Sequence, residues 1–309
     1  MPLHPMIQTT LAAAQGMVPY HRLPIAQARA QAKLAYPPRE QPVAVGVVQD
    51  LLIPGPAGAL PLRVYAPNAN GPHPLMVYFH GSGFVLHDLD THDDLCRRLC
   101  AGAGCVVVSV DYRLAPEHKF PAALDDCLAA TRWTADHAGD LHGDAARLMV
   151  AGDSAGGNFA AVTALRARDE GGPLLCAQML IYPVTDHYSA DLPSMRDNAE
   201  GYGLTRAAMR YYWDHYLNDA GEARHPLAAP RQAASLANLP PALVVTAEYD
   251  PLRDEGEDYG AALVHAGVPV TMRRWLGVNH GFFFFPGLVE RATVAVDEAC
   301  AWSRDMLDR

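Results

Sequence analysis

Leu148-Met149-Val150-Ala151-Gly152-Asp153-Ser154-Ala155-Gly156-Gly157 is the stretch on which the fold turns. Four apolar residues lead into a serine flanked by glycines, and an Ala-rich stretch of helical composition follows. A strand, a sharp turn and a helix in that order are the setting of a G-x-S-x-G nucleophile elbow. The turn is so tight that positions beside the serine have no room for side chains. The serine oxygen then stands clear at a helix N-terminus, where the helix dipole favours negative charge. A shuffled chain of this composition would hold roughly 0.05 such strings.

Outward from that unit, short apolar runs alternate with longer helical patterns. That alternation predicts an α/β fold with a mostly parallel central sheet of about eight strands flanked by helices. The expected strands are Val43–Ile53, Leu60–Ala66, Leu75–His80, Cys105–Asp111, Arg147–Gly152, Ala177–Tyr182, Ala242–Ala247 and Val270–Trp275. The first two, separated by Pro54-Gly55-Pro56-Ala57-Gly58, read as an antiparallel hairpin with a loose turn. Runs such as Val106-Val107-Val108 fit strands covered on both faces. The expected helices are Thr91–Ala103, Pro121–His137, Ala155–Glu170, Arg253–Ala266 and Gly287–Leu307. Pro121 suits a first helical turn, and Gly171 and Gly267 suit helix stops.

Two stretches break the alternation. Residues 1–40 are Ala/Gln-rich and helical in character. Residues 185–235 carry Tyr188, Tyr202, Tyr211, Tyr212, Trp213 and Tyr216. Both are read as parts of one cap over an edge of the sheet. The expected organisation is an N-terminal part of the cap at 1–40, the first part of the core at 41–184, the second part of the cap at 185–235 and the rest of the core at 236–309.

Among 309 residues, 24 Lys and Arg face 34 Asp and Glu, a formal net charge of −10. That sign argues against a nucleic-acid binder, which needs surplus cations for phosphate, and against docking on anionic lipid. No apolar run is long enough to span a bilayer, and residues 1–20 lack the basic-then-apolar pattern of a secretory signal. Six scattered cysteines without a C-x-x-C pair read as free, buried thiols in a reducing compartment, so the expected location is cytoplasmic.

A serine hydroxyl needs a base, and the base needs an orienting carboxylate. In elbow-bearing sheets the order is Ser, then Asp or Glu, then His. Asp250 follows the strand Leu243–Ala247 and precedes Pro251, on a loop at a strand's carboxyl end, where sheets of this type place ligands. Glu248, Asp254 and Glu255 are rivals, the last two inside the following expected helix. His280, after the last strand, fits the base. His265 falls in a helix, and His215 and His225 precede Asp250 and break the order. Acyl transfer also needs N–H donors for an oxyanion, one from Ala155 after the nucleophile and others from a glycine-rich loop. His80-Gly81-Ser82-Gly83-Phe84 after the third strand is that loop.

With these motifs stand Asp111-Tyr112-Arg113-Leu114-Ala115-Pro116-Glu117, Asp250-Pro251-Leu252-Arg253-Asp254-Glu255-Gly256 and His280-Gly281-Phe282. Together, over about residues 80–282, the chain resembles the bacterial hormone-sensitive-lipase-like esterases of the α/β-hydrolase superfamily. The resemblance implies an α/β-hydrolase fold with a helical cap, and a triad of Ser154, Asp250 and His280. It implies an oxyanion hole from the N–H groups of Ser82, Gly83 and Ala155. It further implies a carboxylesterase for short-to-medium acyl chains, with a small-molecule ester as partner and neither metal nor organic cofactor. Residues 111–117 match a segment of structural use. Dimers through a sheet edge are common in the family, which points to Val270–Trp275.

Ser82 departs from the pattern, because the family has glycine there. A left-handed backbone at that position would cost a non-glycine residue about 1–2 kcal/mol. The expectation is a working hole of slightly altered geometry, or an added hydroxyl near the substrate. The same triad also serves amides, lactones or carbamates, and a non-catalytic small-ligand receptor is the reading from another class. Receptors on this scaffold lose the base, and His280 is present.

Overall fold

A computed structural model describes all 309 residues. The apolar runs form one sheet of eight strands: β1 (Val47–Gly55), β2 (Gly58–Ala66), β3 (His73–Phe79), β4 (Val106–Val110), β5 (Gly143–Asp153), β6 (Ala177–Ile181), β7 (Ala242–Tyr249) and β8 (Val270–Asn279). Their spatial order is β1-β2-β4-β3-β5-β6-β7-β8. β2 runs antiparallel to both of its neighbours, and every pair from β4 through β8 is parallel. The architecture is an α/β-hydrolase fold.

The order matters for function. After β3 the chain goes outward to β4, then returns to lay β5 on the other side of β3. Connections therefore diverge from the carboxyl ends of β3 and β5, and a crevice opens there, where open α/β sheets bind ligands. The elbow serine follows β5 and the glycine-rich loop follows β3.

Nine α-helices accompany the sheet: α1 (Pro5–Ala13), α2 (Ile25–Ala35), α3 (Asp93–Ala103), α4 (Ala122–Asp136), α5 (Ala155–Asp169), α6 (Pro193–Asp197), α7 (Arg206–Tyr216), α8 (Arg253–His265) and α9 (Glu290–Leu307). Alternate residues of the central strands point to opposite faces. Leu75, Val77, Phe79, Val106, Val108 and Val150 join an apolar cluster with α4, α5 and α8. Met76, Tyr78, Val107, Met149 and Ala151 join a second with α3 and α9. Every residue of β3 and β4 is buried, which is why these strands are almost entirely apolar, His73 and Ser109 apart, rather than alternating.

Several boundaries differ from the sequence reading. β1 begins at Val47, not Val43, because it pairs first with Ala66, the last residue of β2. The hairpin is tight rather than loose: Gly55 pairs with Gly58, leaving a two-residue turn. Pro54 is tolerated because β1 is an edge strand. Pro121 caps α4 from outside instead of opening its first turn. Gly171 and Gly267 follow their helices in left-handed conformations, with φ of 80° and 82°. β7 and β8 run past their expected ends, to Tyr249 and Asn279, and so deliver Asp250 and His280 directly.

In the two stretches that interrupt the alternation, residues 1–40 hold α1 and α2, and residues 185–235 hold α6, α7 and short 3₁₀ turns. α7 contacts the 3₁₀ turn Tyr20–Arg22. Trp213 and Tyr216 of α7 are core residues: both are fully buried, and the Tyr216 ring stacks on Phe84 at 4.0 Å. All six cysteines are free, and all but Cys176 are buried. No helix is long and apolar enough to cross a membrane.

Candidate active site

Ser154 sits between β5 and α5 with φ 56° and ψ −120°. A β-carbon-bearing residue at that φ is strained by about 1–3 kcal/mol. Neighbouring backbone holds it in place: Ser154 N–H donates to Ile181 O at 2.8 Å, and Val184 N–H donates to Ser154 O at 3.1 Å. The glycines around it allow close approach. A Cβ on Gly152 or on Gly156 would overlap the carbonyl end of Phe79. The bend therefore lies against the last residue of β3.

Three side chains far apart in sequence meet at this bend. His280 Nε2 lies 2.9 Å from Ser154 Oγ. His280 Nδ1 lies 2.8 Å from Asp250 Oδ2. Asp250 is fully buried, and its other oxygen accepts from Leu252 N–H at 2.8 Å. The carboxylate is thus fixed before it meets the ring. His280 packs beside the Tyr182 ring, with centroids 4.7 Å apart. In chemical terms this is a hydroxyl beside a base whose far nitrogen is oriented by a carboxylate.

The rival residues lie elsewhere. Glu248 pairs with the amino group of Met1 and accepts from Gly277 N–H. Asp254 accepts from Ser194 N–H and pairs with Arg253. Glu255 is buried, and burial pushes its carboxyl well above the ordinary range; it accepts from Thr185 and Asp186 N–H. His215 bonds to Tyr211 O, and His225 packs on Phe120.

A match to the family model described as an alpha/beta hydrolase fold covers residues 76–284, the span that contains all three of these side chains. The chain belongs to the α/β-hydrolase family. Its motifs place it in the hormone-sensitive-lipase-like branch. Esterase LipI of Mycobacterium tuberculosis is 46% identical over 264 residues, covering 84% of this chain and 82% of that protein. An arylesterase of Saccharolobus solfataricus is 40% identical over 253 residues, covering 82% of each. Among solved structures, a thermostable esterase from Pseudomonas putida superposes with a TM-score of 0.95 at 38% identity, covering 99% of this chain and 98% of that one.

In this hydrolase the glycine-rich loop leaves β3 and passes beside Ser154. The N–H groups of Ser82, Gly83 and Ala155 donate to no protein acceptor, whereas Gly81 N–H is engaged. Ser82 does not adopt a positive φ, so serine is accepted there without the backbone cost anticipated from the sequence. Its hydroxyl is turned into the protein: Oγ accepts from Phe84 N–H at 2.8 Å and lies 2.8 Å from Tyr112 Oη, to which its O–H can donate. Gly83 does take the left-handed region, at φ 53°.

His80 is buried, and burial pushes its imidazole well below the ordinary range. It stacks on Tyr112 at 4.3 Å, and Tyr112 Oη donates to His80 O at 2.5 Å. Residues 111–117 thus support the loop from below. From above, Arg29 of α2 donates to Val85 O, Ala115 O and the Glu117 carboxylate. Tyr112 lies in the 111–117 segment whose structural use the sequence suggested, though not its partner, whereas nothing in the sequence marked Arg29 as a loop support.

A cavity of about 700 Å³ lies apart, between β1, β2 and the loop 88–90. It is lined by Asp50, Arg63, Asp88, Asp90 and Asp111 among others, and by none of Ser154, Asp250 and His280. No group of three or more His, Cys, Asp and Glu side chains is arranged to hold a metal ion.

Proposed function

We propose that this hydrolase is a serine carboxylesterase acting on short-to-medium-chain esters through an acyl-enzyme. The observation that carries the reading is the pair of contacts at His280, 2.9 Å to Ser154 Oγ and 2.8 Å to Asp250 Oδ2. Ser154 Oγ attacks the ester carbonyl as His280 Nε2 takes its proton. Asp250 holds the ring in the correct tautomer and stabilises its cationic form. The oxyanion is met by the N–H groups of Ser82, Gly83 and Ala155, each such donor contributing about 10²–10³ in rate. His280 then protonates the leaving alcohol and activates water for deacylation. The names of the relatives, esterases and an arylesterase, favour ester substrates over amides.

In this reading α1, α2, α6 and α7 form the cap, and the enzyme works in the cytoplasm, where its free thiols stay reduced. β8 is an open edge of the sheet, which is what pairing of two copies along Val270–Trp275 needs.

The test is turnover of p-nitrophenyl esters from acetate to palmitate by wild type and Ser154→Ala, with fluorophosphonate labelling. The expected result is labelling and hydrolysis that favour the shorter acyl chains in wild type, and neither in a folded Ser154→Ala. Undiminished hydrolysis by Ser154→Ala would assign the chemistry to another residue.

A further inference from the structure

The proposed oxyanion hole draws its donors from two separate parts of the chain, the loop after β3 and the first turn of α5. Something must fix their spacing, since a misplacement of about 1 Å can cost on the order of 10²-fold in rate. Helix and sheet geometry fixes Ala155 relative to Ser154. Nothing of that kind fixes Ser82 and Gly83, which lie on a loop.

One carboxylate joins the two parts. Asp153, the last residue of β5 and immediate predecessor of Ser154, is buried. Its Oδ1 accepts from Gly81 N–H at 2.7 Å and from Tyr78 Oη at 2.7 Å, and His92 Nε2 lies 3.3 Å from the same atom. Gly81 immediately precedes Ser82. A Cβ on Gly81 would overlap the Asp153 carboxylate, so the loop lies directly on it. Burial raises the Asp153 carboxyl, but contacts with His92, Tyr78 and Gly81 N–H outweigh that, and the net shift is downward, toward the ionised form.

We propose that Asp153 is a positioning residue for the oxyanion hole: by holding Gly81 N–H from the residue before the nucleophile, it sets the N–H groups of Ser82 and Gly83 at the same point as that of Ala155. This rests on the triad reading above. Asp153 touches no reacting atom, because its engaged oxygen is taken up by Gly81, Tyr78 and His92. A merely structural buried carboxylate would matter to stability alone. A positioning one matters to the transition state and leaves ground-state binding nearly unchanged.

The test compares wild type, Asp153→Ala and Asp153→Asn on p-nitrophenyl acetate, and measures inhibition by an alkyl trifluoromethyl ketone, whose adduct with a serine carries the oxyanion. Asp153→Ala is expected to lose about 10²-fold in kcat, with KM within threefold, and to bind the ketone more weakly by a matching factor. Asp153→Asn keeps an acceptor for Gly81 N–H and is expected to stay within tenfold of wild type. A folded Asp153→Ala with kcat within fivefold of wild type would overturn the proposal. So would a loss that appears in KM instead, or an Asn variant as impaired as Ala. Where circular dichroism finds Asp153→Ala unfolded, Asp153→Ser, whose hydroxyl ends one bond short of Gly81, takes its place under the same criteria. Ser154→Ala is run alongside. Activity there defeats the triad reading, while an inactive Ser154→Ala beside a near-normal Asp153→Ala defeats only the role of Asp153.

Discussion

The Tyr212 ring of α7 occupies the space that a side chain on Gly83 would need: a Cβ there would lie 2.6 Å from Tyr212 Cδ2. An element of the proposed cap thus rests directly on a proposed oxyanion donor. Gly83 also has φ 53°, which disfavours any residue with a β-carbon. Gly83→Ala is therefore expected to lower kcat/KM for p-nitrophenyl acetate by about 10²-fold or more. Adding Tyr212→Ala removes the collision but not the backbone strain of about 1–2 kcal/mol, so the double variant should recover only part of the loss. Wild-type kinetics in Gly83→Ala would remove this loop from the mechanism.

Ser82 leads to the opposite expectation. Its φ is ordinary, and its hydroxyl faces Phe84 N–H and Tyr112 Oη rather than the crevice. Ser82→Gly keeps the N–H donor and discards two hydrogen bonds that brace the loop, each of net value about 0.5–1.5 kcal/mol. Thermal unfolding should shift down by a few degrees while kcat/KM changes less than tenfold. A loss above 10²-fold with unaltered melting would mean that the hydroxyl acts on the substrate.

Much of this was legible because its signals are local. β3, β4 and the end of β5 are buried on both faces, so their sequences are dominated by apolar residues with few polar breaks, and the elbow is one contiguous string. The positions of Asp250 and His280 followed from strand ends and chain order, and the structure sets His280 beside Ser154 and Asp250 beside His280 even though the strand ends themselves were placed too early. Asp153 was passed over because its partners, Tyr78 and Gly81, lie 75 and 72 residues earlier and its place in G-x-S-x-G is the variable one. The Arg29 brace reaches across 88 residues to Glu117, again with nothing local to mark it. The orientation of Trp213 and Tyr216 was likewise illegible, since aromatic residues at helical spacing suit a pocket or a core equally well.

Asp250→Asn tests the orienting carboxylate. The amide still offers an oxygen to Leu252 N–H, so the fold should survive. Its nitrogen, turned toward His280 Nδ1, donates where the carboxylate accepted and favours the wrong tautomer for proton removal from Ser154. In serine proteases the same change lowers kcat by about 10⁴. A fall of at least 10²-fold, with KM little altered, is expected from initial rates. A variant within tenfold of wild type would leave the contact with His280 without catalytic consequence.

Asp111 makes a pH-dependent prediction away from the site. Burial pushes its carboxyl up to about 6, aided by Asp88 and Asp90 and opposed by Arg63 and Lys33. An unfolded aspartate titrates near ~3.9, so the folded state holds this proton more tightly. Between those values the folded state binds more protons than the unfolded, and stability from this group falls as pH rises. It is fully present below about pH 4 and lost by the time pH passes 6. Asp111→Asn removes the ionisation and keeps the shape. Its Tm should match wild type at pH 4 and exceed it by several degrees at pH 7.5, the direction set by the raised folded-state carboxyl. Parallel Tm curves for the two proteins from pH 4 to pH 7.5 would show that the Asp111 carboxyl is no harder to ionise in the folded chain than in the unfolded one.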